Sequence, residues 1–248
     1  MNSVAEDTSR VILCMKWGTK YGPEYVNRLY GMVARHLPGP FRFVCLTDCG
    51  AGVRSEVEIF PIPSLQLPVG IPERGWTKLT TFTAHQYGLQ GTALFLDLDV
   101  VITGALTPFF EAPGEFLIIH DWKRPWRVTG NSSVYRWRLG AYVDVLEKFR
   151  REHEAVRQRF RNEQTYLSHE IHSLGQLAYW DRAWCASYKY HCIPTWPLSY
   201  WRTPAIPPGA RILIFHGVMN PPDALAGRSN GNWRKALPAP WIAEHWRE

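Results

Sequence analysis

The 248-residue sequence predicts one α/β domain built on a mixed, mostly parallel central sheet with flanking helices. Three observations predict it. Short runs of continuous apolar residues recur at 10–15, 41–46, 92–98 and 211–215, as strands covered on both faces require. A segment of helical periodicity separates the first two runs, giving the strand, helix, strand order of a parallel crossover unit. The length suits a single core that buries roughly 75% of the surface its unfolded chain exposes, without disulfide staples.

The elements follow in order. RVILCM at 10–15 is bounded by polar residues and reads as a buried strand. Pro23 suits a first helical turn, and Tyr25, Val26, Leu29, Met32, Val33 and Leu37 then recur at helical spacing. Residues 41–46 and 57–60 read as the next strands, and the Pro- and Gly-rich stretch 61–75 as a loop. Residues 76–86 read as a helix. TALFLDL at 92–98 is the most apolar strand and therefore the central one. Residues 116–120 form another strand, and the apolar positions of 142–160 keep a helical period. RILIF at 211–215 is the last strong strand. Four prolines between Pro221 and Pro240 leave a tail of loops and short helices, and 184–208, rich in Pro and Trp, reads as a semi-independent unit.

Composition narrows the classes. The net charge of +6 favours anionic partners without choosing among them. The basic run KFRREHEAVRQRFR at 148–161 is mixed with Glu and reads as a solvated helix face. No helix-turn-helix or single-strand-binding motif accompanies the charge, so nucleic acid is not an expected partner. The five cysteines include no CxxC pair, and Cys14 and Cys45 lie in apolar strands, as expected of free thiols in a reducing compartment. MNSVAEDTSR lacks the apolar core of a secretory leader, and no run of about 18 apolar residues occurs. The expected location is cytoplasmic, with peripheral contact at the inner face of the membrane left open. Twelve Trp serve packing or stacking on flat sugar and base faces.

The chemistry concentrates at Asp97-Leu98-Asp99, at the end of the central strand. Residues two apart on a strand share a face, so the two carboxylates converge where open α/β sheets bind ligands. Like charges this close repel, and a divalent cation relieves the repulsion. Oxygen ligands select Mg2+ or Mn2+, which keep positions for substrate phosphates. His216, after RILIF and before Gly217, stands on a tight turn, and neutral imidazole also suits Mn2+. Two other enzyme classes share parts of this pattern. Phosphatases of the haloacid dehalogenase type carry an apolar strand followed by Asp-x-Asp, on their first strand and with a later acidic pair; here Asp121, Asp144, Asp181 and Asp223 are unpaired. Sugar nucleotidylyltransferases carry a Gly-rich, Arg-containing loop after the first strand, which KWGTKYGPE matches in part. A carbohydrate-binding module would use the Trp but leave the carboxylates unexplained.

From about residue 10 to 222 the chain resembles the family eight glycosyltransferases, the glycogenin and lipopolysaccharide galactosyltransferase group, most strongly in FLDLDVVITGALTPFFE at 95–111. The resemblance implies a GT-A fold with a Rossmann-like sheet, in which 10–120 form the nucleotide-binding half and 121–248 the acceptor half and closing loop. It implies a metal-dependent hexosyltransferase that uses a UDP-sugar and Mn2+ (or Mg2+), retains the anomeric configuration, and acts on a saccharide or lipid-linked acceptor. Asp97 and Asp99 would hold the metal, with His216 as third ligand from LIFHGVMNP. RVILCMKWG implies Met15, Lys16 and Trp17 at the base, and GWTKL implies Lys78 at the donor. FLIIHD implies Asp121 at the sugar, and GNSSV implies Asn131 and Ser132 beside it. NEQTYLS assigns an acidic role to Glu163 and places Gln164 beneath the anomeric carbon. The closing loop implies Gly217 and Asn220 at the donor. It departs from the family pattern, with Asn220 for Lys and Pro222 for Trp, and is one residue shorter. Arg228, Arg234 and Lys235 are then candidates for the missing cation.

Overall fold

Helix α1 (Pro23–His36) joins strands β1 (Arg10–Lys16) and β2 (Arg42–Thr47), which pair in parallel, and β3 (Glu58–Phe60) extends the parallel run. The structure is a computed structural model that describes residues 9–84, 86–217, 219–228 and 236–248. Strand β4 (Thr92–Leu96) lies on the other side of β1, also in parallel. After it come β5 (Val101–Ile102), α2 (Thr107–Glu111), β6 (Phe116–His120), β7 (Gly130–Arg138), α3 (Val143–Arg159), α4 (Glu163–Ser173) and β8 (Leu177–Tyr179). One sheet has the order β3-β2-β1-β4-β7-β6-β8, so β4 holds the middle of seven, and β7 runs antiparallel to both its neighbours.

Both faces of this sheet are covered, which explains the continuous apolar runs. Ile12 and Cys14 of β1 and Leu94 and Leu96 of β4 pack into the core under α1, against Leu29 and Met32. Their neighbours Leu13, Met15, Ala93 and Phe95 face the second core, with Leu79, Phe82, Tyr135 and Phe149. Each such side chain contributes about 1.5–3 kcal/mol by leaving water. Sequence period two thus divides one strand between two cores.

A smaller sheet of order β5-β10-β9 is formed by β5, β9 (Cys185–Ser187) and β10 (Ile212–Ile214). The tail adds the short helices α5 (Pro221–Leu225) and α6 (Trp241–His245). RILIF is therefore a buried strand, but it pairs with β5 and β9 and not with β4. The stretch 184–208 is not a separate unit, because Cys185, Tyr188, Cys192 and Ile193 are buried in the α1-side core. Residues Arg74–Phe82 wind as a 3-10 helix. Thr80 and Thr81 each bond a carbonyl three residues back, at 2.8 Å, and so compete with α-helical ladder bonds. All five cysteines are free thiols, four of them buried.

Candidate active site

Strand β4 ends at Leu96, one residue before the acidic pair. The alternation outlives the ladder. Leu98 and Val100 are buried in the core, while Asp97 and Asp99 stay partly exposed on the other side. The backbone N–H of Asp97 donates to the Ser133 carbonyl at 2.9 Å, which ties the turn to β7. Both carboxylates line a cleft of about 240 Å³, with Met15 and Trp17 from the end of β1, Lys20 and Tyr21 from the loop before α1, and Lys78 from the 3-10 helix.

Each carboxylate has one partner from this ring of residues. Lys78 Nζ lies 2.6 Å from Asp97 Oδ1, and it also donates to the Ser132 carbonyl at 3.3 Å. Burial works against the Lys78 charge, but Asp97 and Glu163 outweigh it, so its pKa sits above the ordinary lysine value. The Tyr21 hydroxyl donates to Asp99 Oδ2 at 2.6 Å and lies 3.3 Å from Asn220 Oδ1. Burial and the charge of Asp97 raise the pKa of Asp99 to about 6. Two crowded carboxylates, one of them penalised as an anion, fit a hard divalent cation, with the remaining ligand positions left to phosphate and water.

The structure does not add His216 to this pair. Among the described residues no three His, Cys, Asp or Glu side chains converge to hold an ion. His216 Nε2 lies 2.6 Å from Ser187 Oγ, and its ring lies 6.1 Å from that of Trp122. Burial, with Lys123 and Lys189 nearby, holds its pKa down to about 4, so the ring is neutral at pH 7. His216 follows β10, which pairs antiparallel with β5 directly after Asp99, Leu213 opposite Val101, and the imidazole of this expected third ligand contacts Ser187 of β9.

The other expected residues divide. Met15 and Trp17 line the carboxylate cleft, whereas the Lys16 ammonium turns to the Cys49 carbonyl at 3.0 Å and is absent from the lining. Ser132 Oγ donates to Glu163 Oε1 at 2.8 Å, and Ser132 N to Gln164 Oε1 at 3.3 Å. The first turn of α4 is thereby tied to β7, with Asn162 capping the helix by accepting from Thr165 N. Asn131, Gln164, Asp121, His216 and Gly217 line a second cleft of about 610 Å³. Asp121 Oδ1 accepts from Lys123 N at 2.9 Å, and Asn131 Oδ1 from Ser133 N at 3.1 Å. Asn220 precedes α5, and its N–H donates to Asp223 Oδ2 at 3.1 Å. Arg228 approaches the same Asp223 at 3.9 Å, and Arg234 and Lys235 lie outside the described residues.

Sequence reasoning missed Tyr21, Lys20 and Ser187. The only signal for the first two is their place in GTKYGPE, between the end of a central strand and the Pro that opens α1. Ser187 carries no local signal.

No protein-family model matches the chain, and no curated protein matches its sequence. Solved structures do match in fold. A crystal structure of the galactosyltransferase LgtC, in complex with donor and acceptor sugar analogs, superposes with a TM-score of 0.57 at 16% identity, covering 85% of this chain and 88% of that one. The glycosyltransferase GlyE of Streptococcus pneumoniae TIGR4 gives 0.55 at 14% identity over 87% of this chain and 56% of its own. The bifunctional glycosyltransferase WbbM gives 0.57 at 9% identity, over 89% of this chain and 48% of its own. The chain thus has the GT-A glycosyltransferase fold.

Proposed function

We propose that this chain is a divalent-metal-dependent glycosyltransferase that moves a hexose from UDP to a saccharide or lipid-linked acceptor, with retention. The observation that carries the reading is the carboxylate pair Asp97 and Asp99, held by Lys78 and Tyr21 in one cleft at the end of the central strand. Met15 and Trp17 supply an apolar and aromatic wall suited to a base. Asp97 and Asp99 would hold Mn2+ or Mg2+, which would supply positive charge to a leaving diphosphate.

The chain's own residues account for the remainder. Lys20 stands at the cleft beside Tyr21, with its ammonium 4.5 Å from the ring centroid, and supplies the cation that the closing loop lacks. Asp121, Asn131 and Ser132 orient the donor sugar, and Gly217 and Asn220 close over it. The acceptor hydroxyl attacks the anomeric carbon on the leaving-group side. The bond to the UDP oxygen breaks as the new C–O bond forms, and the hydroxyl proton passes to the departing phosphate oxygen. The Gln164 side-chain oxygen faces the cation-like sugar, and Glu163 fixes Ser132 beside it.

No described helix is long and apolar enough to cross a membrane. Trp196 and Trp201, 74% and 73% exposed, give a peripheral contact with an acceptor-bearing membrane a physical basis.

The deciding experiment is a calorimetric titration of UDP with and without Mn2+, in the wild type and in Asp99→Ala. Metal-dependent binding that the substitution abolishes is expected. UDP binding that ignores both the metal and the substitution would overturn the reading.

A further inference from the structure

The second cleft is as unusual in charge as the first. Lys123, Arg124 and Arg127 come from the loop between β6 and β7, Arg159 and Arg161 from the junction of α3 and α4, and Lys189 from the turn after β9. Three segments far apart in sequence thus bring six cations to one hollow of about 610 Å³. Asp121 is the one carboxylate in its lining among the described residues, and its Oδ1 is taken by the Lys123 N–H. Earlier on α3, Lys148 pairs with Glu170 and Arg150 with Glu147. Arg124, Arg127 and Arg161 make no salt bridge among the described residues.

The cationic loop is braced from within. Arg124 N donates to the Asp121 carbonyl at 3.3 Å, Arg127 N to Arg124 at 2.9 Å, and Thr129 N to Arg127 at 2.9 Å. The side chains therefore project from an ordered turn, which lowers the entropy lost on binding. Six like charges around one hollow repel each other, and a multiply charged anion relieves that repulsion. A lone carboxylate occupies a single Arg fork. A phosphate has about two negative charges and three acceptor oxygens, which several forks reach from different sides.

We infer that this cleft receives a phosphate-bearing saccharide as the acceptor. The inference rests on the reading of the carboxylate cleft as the UDP-sugar site. The phosphate sits among Arg124, Arg127 and Arg161, and the sugar reaches toward Asn131 and Gln164, which line the same hollow.

The test uses the full chain with Mn2+ and saturating UDP, so that the donor site is filled and its affinity is measured first. Glucose 1-phosphate, glucuronate and glucose are then titrated as probes. Glucose 1-phosphate should bind about tenfold more tightly than either of the others, and less tightly as salt rises. Arg127→Gln and Arg161→Gln should each weaken it about threefold, and together about tenfold. Thermal unfolding of the variants checks that these exposed replacements leave the fold in place. Equal binding of the three probes, or an unchanged affinity in the double variant, overturns the phosphate assignment while UDP binding leaves the donor reading standing. A wild-type protein that does not bind UDP overturns the donor reading, and this inference with it.

Discussion

The hydroxyl of Tyr21 lies 2.6 Å from the carboxylate of Asp99, across 78 residues of sequence. It occupies Oδ2 and so fixes the plane of the carboxyl, leaving the other oxygen for an ion. Tyr21→Phe removes that restraint and the longer contact to Asn220 Oδ1, while the ring still packs on Tyr25 with centroids 4.6 Å apart. A hydrogen bond to a charged group contributes about 1.5–3 kcal/mol, so Mn2+-dependent UDP affinity should fall roughly tenfold or more. Calorimetry on the Phe variant checks this. An unchanged affinity would remove Tyr21 from the site.

Lys78 faces Asp97 with Glu163 and Asp99 also acting on it, and its side chain is only 13% exposed. Lys78→Met would leave these carboxylates without their buried counter-charge. Removing one partner of a buried pair costs about 3–5 kcal/mol, and the partial exposure of Asp97 places this case near 3 kcal/mol. The metal-free variant should therefore melt well below the wild type. Mn2+ with UDP should restore more stability to the variant than to the wild type, since the ion replaces the missing charge. Melting curves in both states give the comparison.

The parts of this site that sequence showed, and those it hid, separate along physical lines. The central place of β4 was readable because a strand covered on both faces must be apolar throughout, and no other run is as apolar as TALFL. The shared face of Asp97 and Asp99 was readable from period two, and it survives although the strand ends at Leu96. Pairing partners were not readable. RILIF announces burial but carries no mark of the strands it joins, β5 and β9. The 3-10 winding of Arg74–Phe82 depends on threonine hydroxyls that bond the backbone, a local competition that apolar periodicity does not register. Tyr21 and the cationic cleft arise from loops brought together by the fold, and no spacing rule links their residues.

Acid should loosen the C-terminal clamp. Arg35 at the end of α1 donates to the carbonyls of His245, Arg247 and Glu248, between 2.7 and 3.1 Å. Burial lowers the pKa of His36, and His245 and Arg35 lower it further; burial also lowers that of His245. Both rings thus bind protons less readily in the folded chain than in the unfolded one. Stability from this pair is complete above the ordinary histidine range near pH 6.5 and is lost as pH falls through the lower folded values. The melting temperature should decline over that window, and the double variant His36→Gln, His245→Gln should flatten the decline. A wild-type profile level from pH 7 to about pH 5 would contradict the argument.

Lys20 and Gln164 should fail in different ways, because one is assigned to the leaving group and the other to the sugar. Lys20 is exposed at the carboxylate cleft and acts on the charge of Asp99. Its ammonium would meet the diphosphate both before and during bond cleavage. Lys20→Ala should therefore weaken UDP binding about threefold to tenfold, as an exposed charge pair allows, and lower kcat as well. Gln164 stands in the first turn of α4, its side-chain oxygen 3.3 Å from Ser132 N, and lines the second cleft rather than the first. Gln164→Ala should leave UDP affinity within about twofold and lower kcat by about a hundredfold, roughly 2.7 kcal/mol of barrier. UDP titration and turnover of a UDP-sugar, measured on both variants, separate the two roles. Equal losses of UDP affinity in the two variants would mean that Gln164 holds the nucleotide portion, and the placement of the sugar between the clefts would have to be abandoned.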